Sequence, residues 1–459
     1  MKSITLPTLR ALAWVAGATF AVAAFAKLTP DEIKRLDGPL TPMGAERAAN
    51  ADGSIPAWTA RIVGTPPGLQ FNSGDRYPDP YASEKPLVVI TPQNMAQHES
   101  KLTEGQKAMF KRYPDTFKMY VYPSHRDFAL PETKYNAIRT WAARTTMTSD
   151  QNGLRDFPPL APFPIPKSGV ELMWNLRFAS DLVAEDAIYD QAVVYPGGNI
   201  VWGKTQYTIY APIGAEVFDP KNPLNSRSFY RQSILLPLSD RGTIITGYEM
   251  WDQESADTRR TWVYNPGTRR VRQAPEFGYD QPQGPGGFRT VDDDRLFNGS
   301  GQRYEWKIVG KREVYVPYNN YKLLDPKVKY ASLLTKGHEN MEFMRFELHR
   351  VWVLQATLKE NFRHQYAKRV LYIDEDTWNA VAADNYDARG TLWRTNFAPS
   401  IYAFDAKDFY STSTFYHDLV SGAYYADRLT NEAPPPALTP NAKSTEVYYS
   451  PDAIRGAGK

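Results

Sequence analysis

Beyond about residue 170 the chain is written in short runs of alternating apolar and polar residues. Between Arg350 and Leu358 the even positions Trp352, Leu354, Ala356 and Leu358 are apolar, the period-two signature of a strand with one face turned inward. Residues 364–372 repeat it with Tyr366, Val370 and Tyr372, interrupted by Lys368. Strands are predicted at 187–195, 200–210, 229–238, 243–251, 259–264, 302–316, 345–358, 362–373 and 378–386, with more towards residue 404. Turn signals divide them: Pro196-Gly197-Gly198-Asn199, Ser239-Asp240-Arg241-Gly242, Asn265-Pro266-Gly267-Thr268 and Asp387-Ala388-Arg389-Gly390. A single amphipathic helix, at 170–179, precedes the first of these strands. Strand and helix do not alternate, which argues against a doubly wound parallel sheet. An antiparallel meander of about ten strands is expected to curl or close into a barrel.

Residues 27–167 have another texture, broken into short pieces by Pro and Gly. Thr29-Pro30-Asp31-Glu32 reads as a helix start, with Thr29 as cap, proline in the first turn and acids at the positive helix end. A second helical stretch spans about 92–112, where Met95, Leu102, Met109 and Phe110 share one side. The proline-rich run 157–166 cannot be helix or central strand. It is an extended connector, either a boundary or an arm fixed against one domain. Residues 431–459 open with Pro434-Pro435-Pro436 and read as a loosely held tail.

The first 26 residues carry two charges, Lys2 and Arg10, then an apolar run that ends in Ala24-Phe25-Ala26. This is the pattern of a cleaved secretory signal, and the run is shorter than the roughly 20 residues a membrane-spanning helix needs. With no cysteine to acylate, the expected product is a periplasmic protein without a lipid anchor. The organisation expected is a signal peptide at 1–26, an irregular and helical extension at 27–167 wrapping the barrel, an antiparallel barrel at 168–430, and the tail.

Composition narrows the chemistry. The 459 residues carry 54 basic and 51 acidic side chains, a balance that excludes nucleic-acid binding through phosphate neutralisation. The absence of cysteine excludes disulfides, thiolate chemistry and Cys-ligated metal. The six histidines, at 98, 125, 338, 349, 364 and 417, lack metal-ligand spacing, so no metal or other cofactor is expected. Asp292-Asp293-Asp294 lacks the spacing and glycine of a calcium loop and reads as a solvated turn. No nucleophile elbow, P-loop or dinucleotide fingerprint is present, and Gly284-Pro285-Gly286-Gly287 reads as a flexible loop. Carboxylate pairs that meet only in the fold stay open.

Several longer strings then carry a family resemblance. Leu40-Thr41-Pro42-Met43-Gly44-Ala45-Glu46-Arg47, followed by Asn50-Ala51-Asp52-Gly53-Ser54-Ile55-Pro56-Ala57-Trp58, resembles the opening motif of domain of unknown function 1329. Gly105-Gln106-Lys107-Ala108, Thr116-Phe117-Lys118-Met119, Val121-Tyr122-Pro123-Ser124-His125-Arg126 and Arg289-Thr290-Val291-Asp292-Asp293 fit the same family. So do Val316-Pro317-Tyr318-Asn319-Asn320-Tyr321-Lys322-Leu323, Glu347-Leu348-His349-Arg350-Val351-Trp352-Val353, Ala367-Lys368-Arg369 and Tyr372-Ile373-Asp374-Glu375-Asp376. The family is described as similar to the outer-membrane lipoprotein-sorting proteins LolA and LolB. The resemblance implies a mainly β fold with peripheral helices, a half-open antiparallel barrel, here with a long irregular N-terminal extension. Thr261-Trp262-Val263-Tyr264-Asn265-Pro266 looks like the strand and turn that recur in such domains. It also implies an accessory role beside an inner-membrane exporter of the resistance–nodulation–division type and an outer-membrane partner. It supplies no catalytic residues.

The combined expectation is a non-enzymatic periplasmic carrier of a lipid-like or other hydrophobic small molecule. Its cargo would touch Trp352, Leu354, Tyr366, Val370, Tyr372, Trp262 and Tyr264; the alternative for these residues is a dry core. Two other functions are carried alongside, an envelope hydrolase with a carboxylate pair and a structural adaptor between transport proteins. A cavity above about 300 Å³ favours the carrier, carboxylates converging in a polar cleft the hydrolase, and a packed interior with an exposed apolar patch the adaptor.

Overall fold

The structure, a computed structural model, describes residues 27–179, 182–212, 226–250, 259–274 and 279–457. The signal sequence expected at 1–26 lies outside them. One sheet dominates. Two three-residue strands of the N-terminal extension, Val88–Ile90 and Met119–Val121, join it beside Phe346, the second in parallel; its other strands are β1 (Ala184–Val194), β2 (Ile200–Tyr210), β3 (Ser226–Leu236), β4 (Ile244–Met250), β5 (Arg259–Asn265), β6 (Arg270–Gln273), β7 (Tyr304–Pro317), β8 (Phe346–Leu358), β9 (Lys368–Asp374), β10 (Ala380–Tyr386), β11 (Leu392–Phe397), β12 (Thr414–Asp418) and β13 (Tyr424–Leu429). The order of β1–β13 across the sheet is β7-β8-β9-β10-β11-β12-β13-β1-β2-β3-β4-β5-β6, every pair of these antiparallel.

Two meanders, β1–β6 and β7–β13, are thus joined where the last strand meets the first, with Tyr424 opposite Val194 and Ala426 opposite Ala192. The two edges, β6 and β7, do not pair with each other, so the barrel stays open. The mainly β, half-open architecture with peripheral helices is the one the sequence predicts.

Helices α1 (Pro30–Arg35), α2 (Glu104–Arg112), α3 (Glu132–Trp141) and α4 (Gly169–Arg177) lie outside the sheet. Among the described residues no helix is long and apolar enough to cross a membrane. α1 starts where expected, with Thr29 as cap, and Glu32 closes a capping box with it. α3 was not foreseen, because its inward side is only Tyr135 and Ile138 plus Lys134, whose ammonium is buried against Asp408. Sequence periodicity does not register a buried lysine as core.

The central strands are covered on both faces. Val351, Val353, Tyr372, Ala382, Phe397, Phe415 and Tyr424 belong to one core. Leu354, Ala356, Leu371, Ala383, Tyr416 and Tyr425 belong to another on the opposite side. Antiparallel sheets commonly leave one face to water; here β13 is buried along its whole length and β10 along all but its last residue. α2 packs on the first face through Gly105, where a β-carbon would lie 1.9 Å from Thr395 Oγ1, so only glycine fits. α4 closes the other face against β7 and β8, its Gly169 in equally close contact with the Trp306 backbone.

Three expectations are corrected. The acidic triplet is not a solvated turn: Asp292 and Asp293 are fully buried, because Arg369 pairs with both of them. The C-terminal segment is packed rather than loose, with Leu438, Tyr449 and Ile454 buried and a helix, Pro451–Ala457, against β4–β6. The strand expected from 362 begins at Lys368, since the Tyr366 N–H turns onto His364 Nδ1 at 3.0 Å. The proline-rich run at 157–166 is held as an arm: Asn175 on α4 receives the Phe163 N–H at 2.9 Å and donates to its carbonyl at 2.7 Å. The extension 27–167 is bound to the sheet and its loops at many points: Gln106 Nε2 donates to the Tyr315 carbonyl of β7, Trp378 Nε1 in the β9–β10 turn donates to the Met43 carbonyl, and the Gly64 N–H donates to Tyr402 Oη.

Candidate binding cleft and the ion clusters beneath it

A cleft of about 470 Å³ opens between the N-terminal extension and the loops that flank β7 and β8. The extension supplies Arg76 to Glu84 and Tyr122; the loops supply Asn319 to Pro326 and Glu342 to Arg345. Tyr77, Tyr81, Tyr122, Tyr321 and Phe343 make aromatic walls, and Arg76, Asp79, Glu84, Lys322 and Arg345 bring charge to them. Arg345 is clamped between the rings of Tyr81 and Tyr122, at 5.0 and 4.7 Å, and donates to Glu84 at 2.7 Å and Glu347 at 2.6 Å. A cation so held keeps its direction without much side-chain entropy to lose on binding. Asn319 lies at the buried inner end, donating to Glu347 at 3.0 Å while its Oδ1 has no hydrogen-bond partner.

Glu347 leads from the cleft floor into a buried ionic cluster. Its Oε2 lies 3.2 Å from His349 Nε2, and His349 stacks on Tyr318 with centroids 4.0 Å apart. Despite burial, His349 and Arg345 hold the Glu347 carboxyl down to about 2. Burial pulls His349 towards neutrality, but Glu347 and Asp374 outweigh it and raise its pKa. Burial, and then the charge of Asp376, push Asp374 well above the carboxylate range. Asp376 takes a two-pronged pair from Arg126 at 2.7 and 2.8 Å, and Glu375 meets Lys311 at 2.8 Å.

A second cluster fills the other face of the sheet, carried by residues 279–303. Arg369 pairs with Asp292 at 2.7 Å, Arg289 with Asp427 at 3.2 Å, and Arg428 with Glu185 at 3.3 Å. Tyr366 donates to Asp293 at 3.2 Å and accepts from Arg394 at 2.9 Å.

The sequence-nominated cargo residues do not come together. Trp352 and Leu354 lie on one face of β8, with Trp352 stacked on Trp378 at 6.2 Å and Leu354 fully buried in the core that holds Trp174. Val370 and Tyr372 lie on the opposite face of β9. Tyr366 precedes β9 and belongs to the ionic cluster around Arg369. Trp262 and Tyr264, on β5, pack against Ile454 of the C-terminal helix. None of the seven lines the 470 Å³ cleft. The cleft residues escaped notice because they come from loops, where period-two reasoning has no purchase. One signal was present: 121–126, 316–323, 347–353 and 372–376, singled out as motifs, are the strings that meet at the cleft floor and its cluster.

The family model for Protein of unknown function (DUF1329) matches residues 89–455. Uncharacterized protein PA3922 of Pseudomonas aeruginosa is 41% identical over 452 residues, spanning 95% of this chain and 96% of that protein. The chain belongs to the DUF1329 family. Among solved structures it is similar to a DUF1329 family protein from Desulfovibrio piger, with a TM-score of 0.40 and 13% identity over 60% of this chain and 92% of that one. It is also similar to the LolA superfamily protein NE2245 from Nitrosomonas europaea, with a TM-score of 0.36 and 12% identity over 62% of this chain and 99% of that one.

Proposed function

We propose that the protein is a periplasmic carrier that binds an amphiphilic, lipid-like molecule in the cleft between its N-terminal extension and the open barrel. The observation that carries this reading is the cleft itself, whose volume suits a lipid-sized fragment. Aromatic walls offer apolar burial at about 25 cal/mol per Å², and the clamped Arg345 and the free acceptor of Asn319 offer polar anchors for a head group. One wall comes from the extension, so a small movement of residues 76–84 would open the cleft and release cargo. Binding, not catalysis, is the role assigned to it. Transfer between an inner-membrane exporter and an outer-membrane partner is the setting in which such a carrier would serve.

The test is native mass spectrometry of protein released from the periplasm, with extraction of bound lipids, together with titration of a fluorescent fatty acid. Phe343→Glu places a charge on the half-buried aromatic wall and is expected to weaken the probe at least tenfold with the thermal midpoint within a few degrees of wild type. Absence of both extracted lipid and probe binding in the wild type would remove the carrier reading.

A further inference from the structure

Behind the cleft floor, His349, Asp374 and Asp376 bring one ligand atom each to within 4.8 Å of one another. Histidine and aspartate in such a group are common without any ion, so the environment has to decide.

Three features do. The first is the second shell of the histidine. Glu347, ionised, accepts from His349 Nε2 at 3.2 Å, which leaves the lone pair on Nδ1. This is the carboxylate–histidine pairing that orients a metal-bound imidazole. The second is an orphaned acceptor. Asp374 Oδ2 receives Thr377 at 2.8 Å and Tyr318 at 3.3 Å, whereas Oδ1, fully buried, has no hydrogen-bond partner. Oδ1 instead faces His349 Nδ1 at 3.7 Å, too far for a hydrogen bond. Two electron-rich atoms facing each other in the interior repel unless a proton or a metal ion relieves them, and at 3.7 Å a shared proton bridges them poorly whereas a metal ion fits between. A separation of 3.7 Å corresponds to an angle of roughly 120° at an ion about 2.1 Å from each.

The third is charge. Among the described residues, Glu46, Glu84, Asp127, Glu347, Asp374, Glu375 and Asp376 share one network with five permanent cations, Arg61, Lys311, Arg126, Arg345 and Arg350. Metal binding takes His349 neutral and Asp374 ionised, and in that state the carboxylates of the network outnumber its permanent cations by two, which a divalent ion offsets. Arg126 occupies one lone pair on each Asp376 oxygen and leaves the others free. A void of about 20 Å³ beside Asp376 and Tyr318 has room for a water as a further ligand.

We propose that His349 Nδ1, Asp374 Oδ1 and Asp376 form a buried site for a first-row divalent cation, Zn²⁺ by its taste for mixed nitrogen and carboxylate donors. Through Glu347, which also holds Arg345 and Asn319, the ion would set the shape of the cleft floor. This site is independent of the cargo reading, since its readouts do not use cargo.

The test takes the full mature chain, stripped with a chelator and titrated with ZnCl₂ at pH 7.5. One equivalent should bind, with the thermal midpoint rising by several degrees, and Asp374→Asn should weaken Zn²⁺ at least tenfold. CoCl₂ added to the stripped wild type should give visible ligand-field bands that one equivalent of ZnCl₂ removes, a reading that holds even if the variant fails to fold. No bands and no midpoint shift would overturn the proposal, as would equal Zn²⁺ affinity in a folded Asp374→Asn. A wild-type midpoint that ignores the metals and rises more on acidification than that of Asp374→Asn would also overturn it, placing a proton between His349 and Asp374.

Discussion

The hydroxyl of Tyr372 donates to the carboxylate of Asp384 at 3.1 Å, across the face of the sheet that α2 covers. The same carboxylate accepts the Gly105 N–H at 3.0 Å and the Thr395 hydroxyl at 2.9 Å. An aromatic residue that alternation nominates as a cargo contact is therefore a strut: it helps hold the anion at the N-terminal end of α2 and so fixes the helix on the sheet.

That arrangement has a pH signature. Burial raises the Asp384 carboxyl from 3.8 to about 6, so the folded protein holds this proton more tightly than the unfolded chain. Its destabilising contribution is fully present above pH 6 and fades as pH falls towards 3.8. From pH 7 to pH 5 the wild type is expected to gain about 1 kcal/mol relative to Asp384→Asn in urea unfolding. Equal pH slopes in the two proteins would show that Asp384 does not titrate in this range.

Below that range the sign reverses. Glu347, held down to about 2 against its ordinary 4.5, contributes stability that is present above pH 4.5 and lost as pH falls towards 2. Stability of the wild type is therefore expected to drop steeply below about pH 4, and Glu347→Gln should flatten the drop. Acid titration followed by tryptophan fluorescence checks this.

Gly105→Ala sets a β-carbon 1.9 Å from Thr395 Oγ1 and 2.1 Å from Asp384 Oδ1. Overpacking of this kind costs about 1–3 kcal/mol or more, seen as a lowered thermal midpoint. Gly456→Ala, in the C-terminal helix with nothing within 4 Å of the added carbon, should leave the midpoint unchanged or slightly raised.

Arg369→Met removes the guanidinium that pairs with Asp292 at 2.7 Å and sits 4.8 Å from the centroid of the Tyr366 ring. The buried Asp292 carboxylate is left with only His364, at 3.0 Å, and the Thr290 hydroxyl, at 2.6 Å, and a loss of about 3 kcal/mol is expected. Adding Asp292→Asn should recover part of it, and the double-mutant cycle measures the coupling.

Leu354→Ala tests the dry-core alternative for the residues nominated from the sequence. Leu354 is fully buried beside Leu371, so about 2–5 kcal/mol of stability should be lost while the folded fraction binds the fatty-acid probe with wild-type affinity. A specific loss of probe affinity would return this face of β8 to the cargo path.

The fold was legible because alternation and turn residues are local. The β2 strand follows from residues 200–210 alone, and Thr29 with Glu32 spells out the start of α1. The sequence also held the strings that meet at the cleft, 121–126, 316–323, 347–353 and 372–376, but not their meeting. Which face of a strand is dry, and whether a second face is dry too, depends on what the rest of the chain lays over it. Val353 and Leu354, one residue apart, point into two different cores, and no pattern in β8 distinguishes a covered face from a wet one. The same holds for charge. Asp292 and Asp293 read as a solvated turn because an aspartate with no visible partner belongs in water; Arg369, far along the chain, supplies the partner and brings them inside. Local sequence determined the strands, their turns and the antiparallel architecture. Tertiary structure alone decided which side chains are walls, which are struts and where the charges are buried, because burial and pairing are set by residues that only the fold makes neighbours.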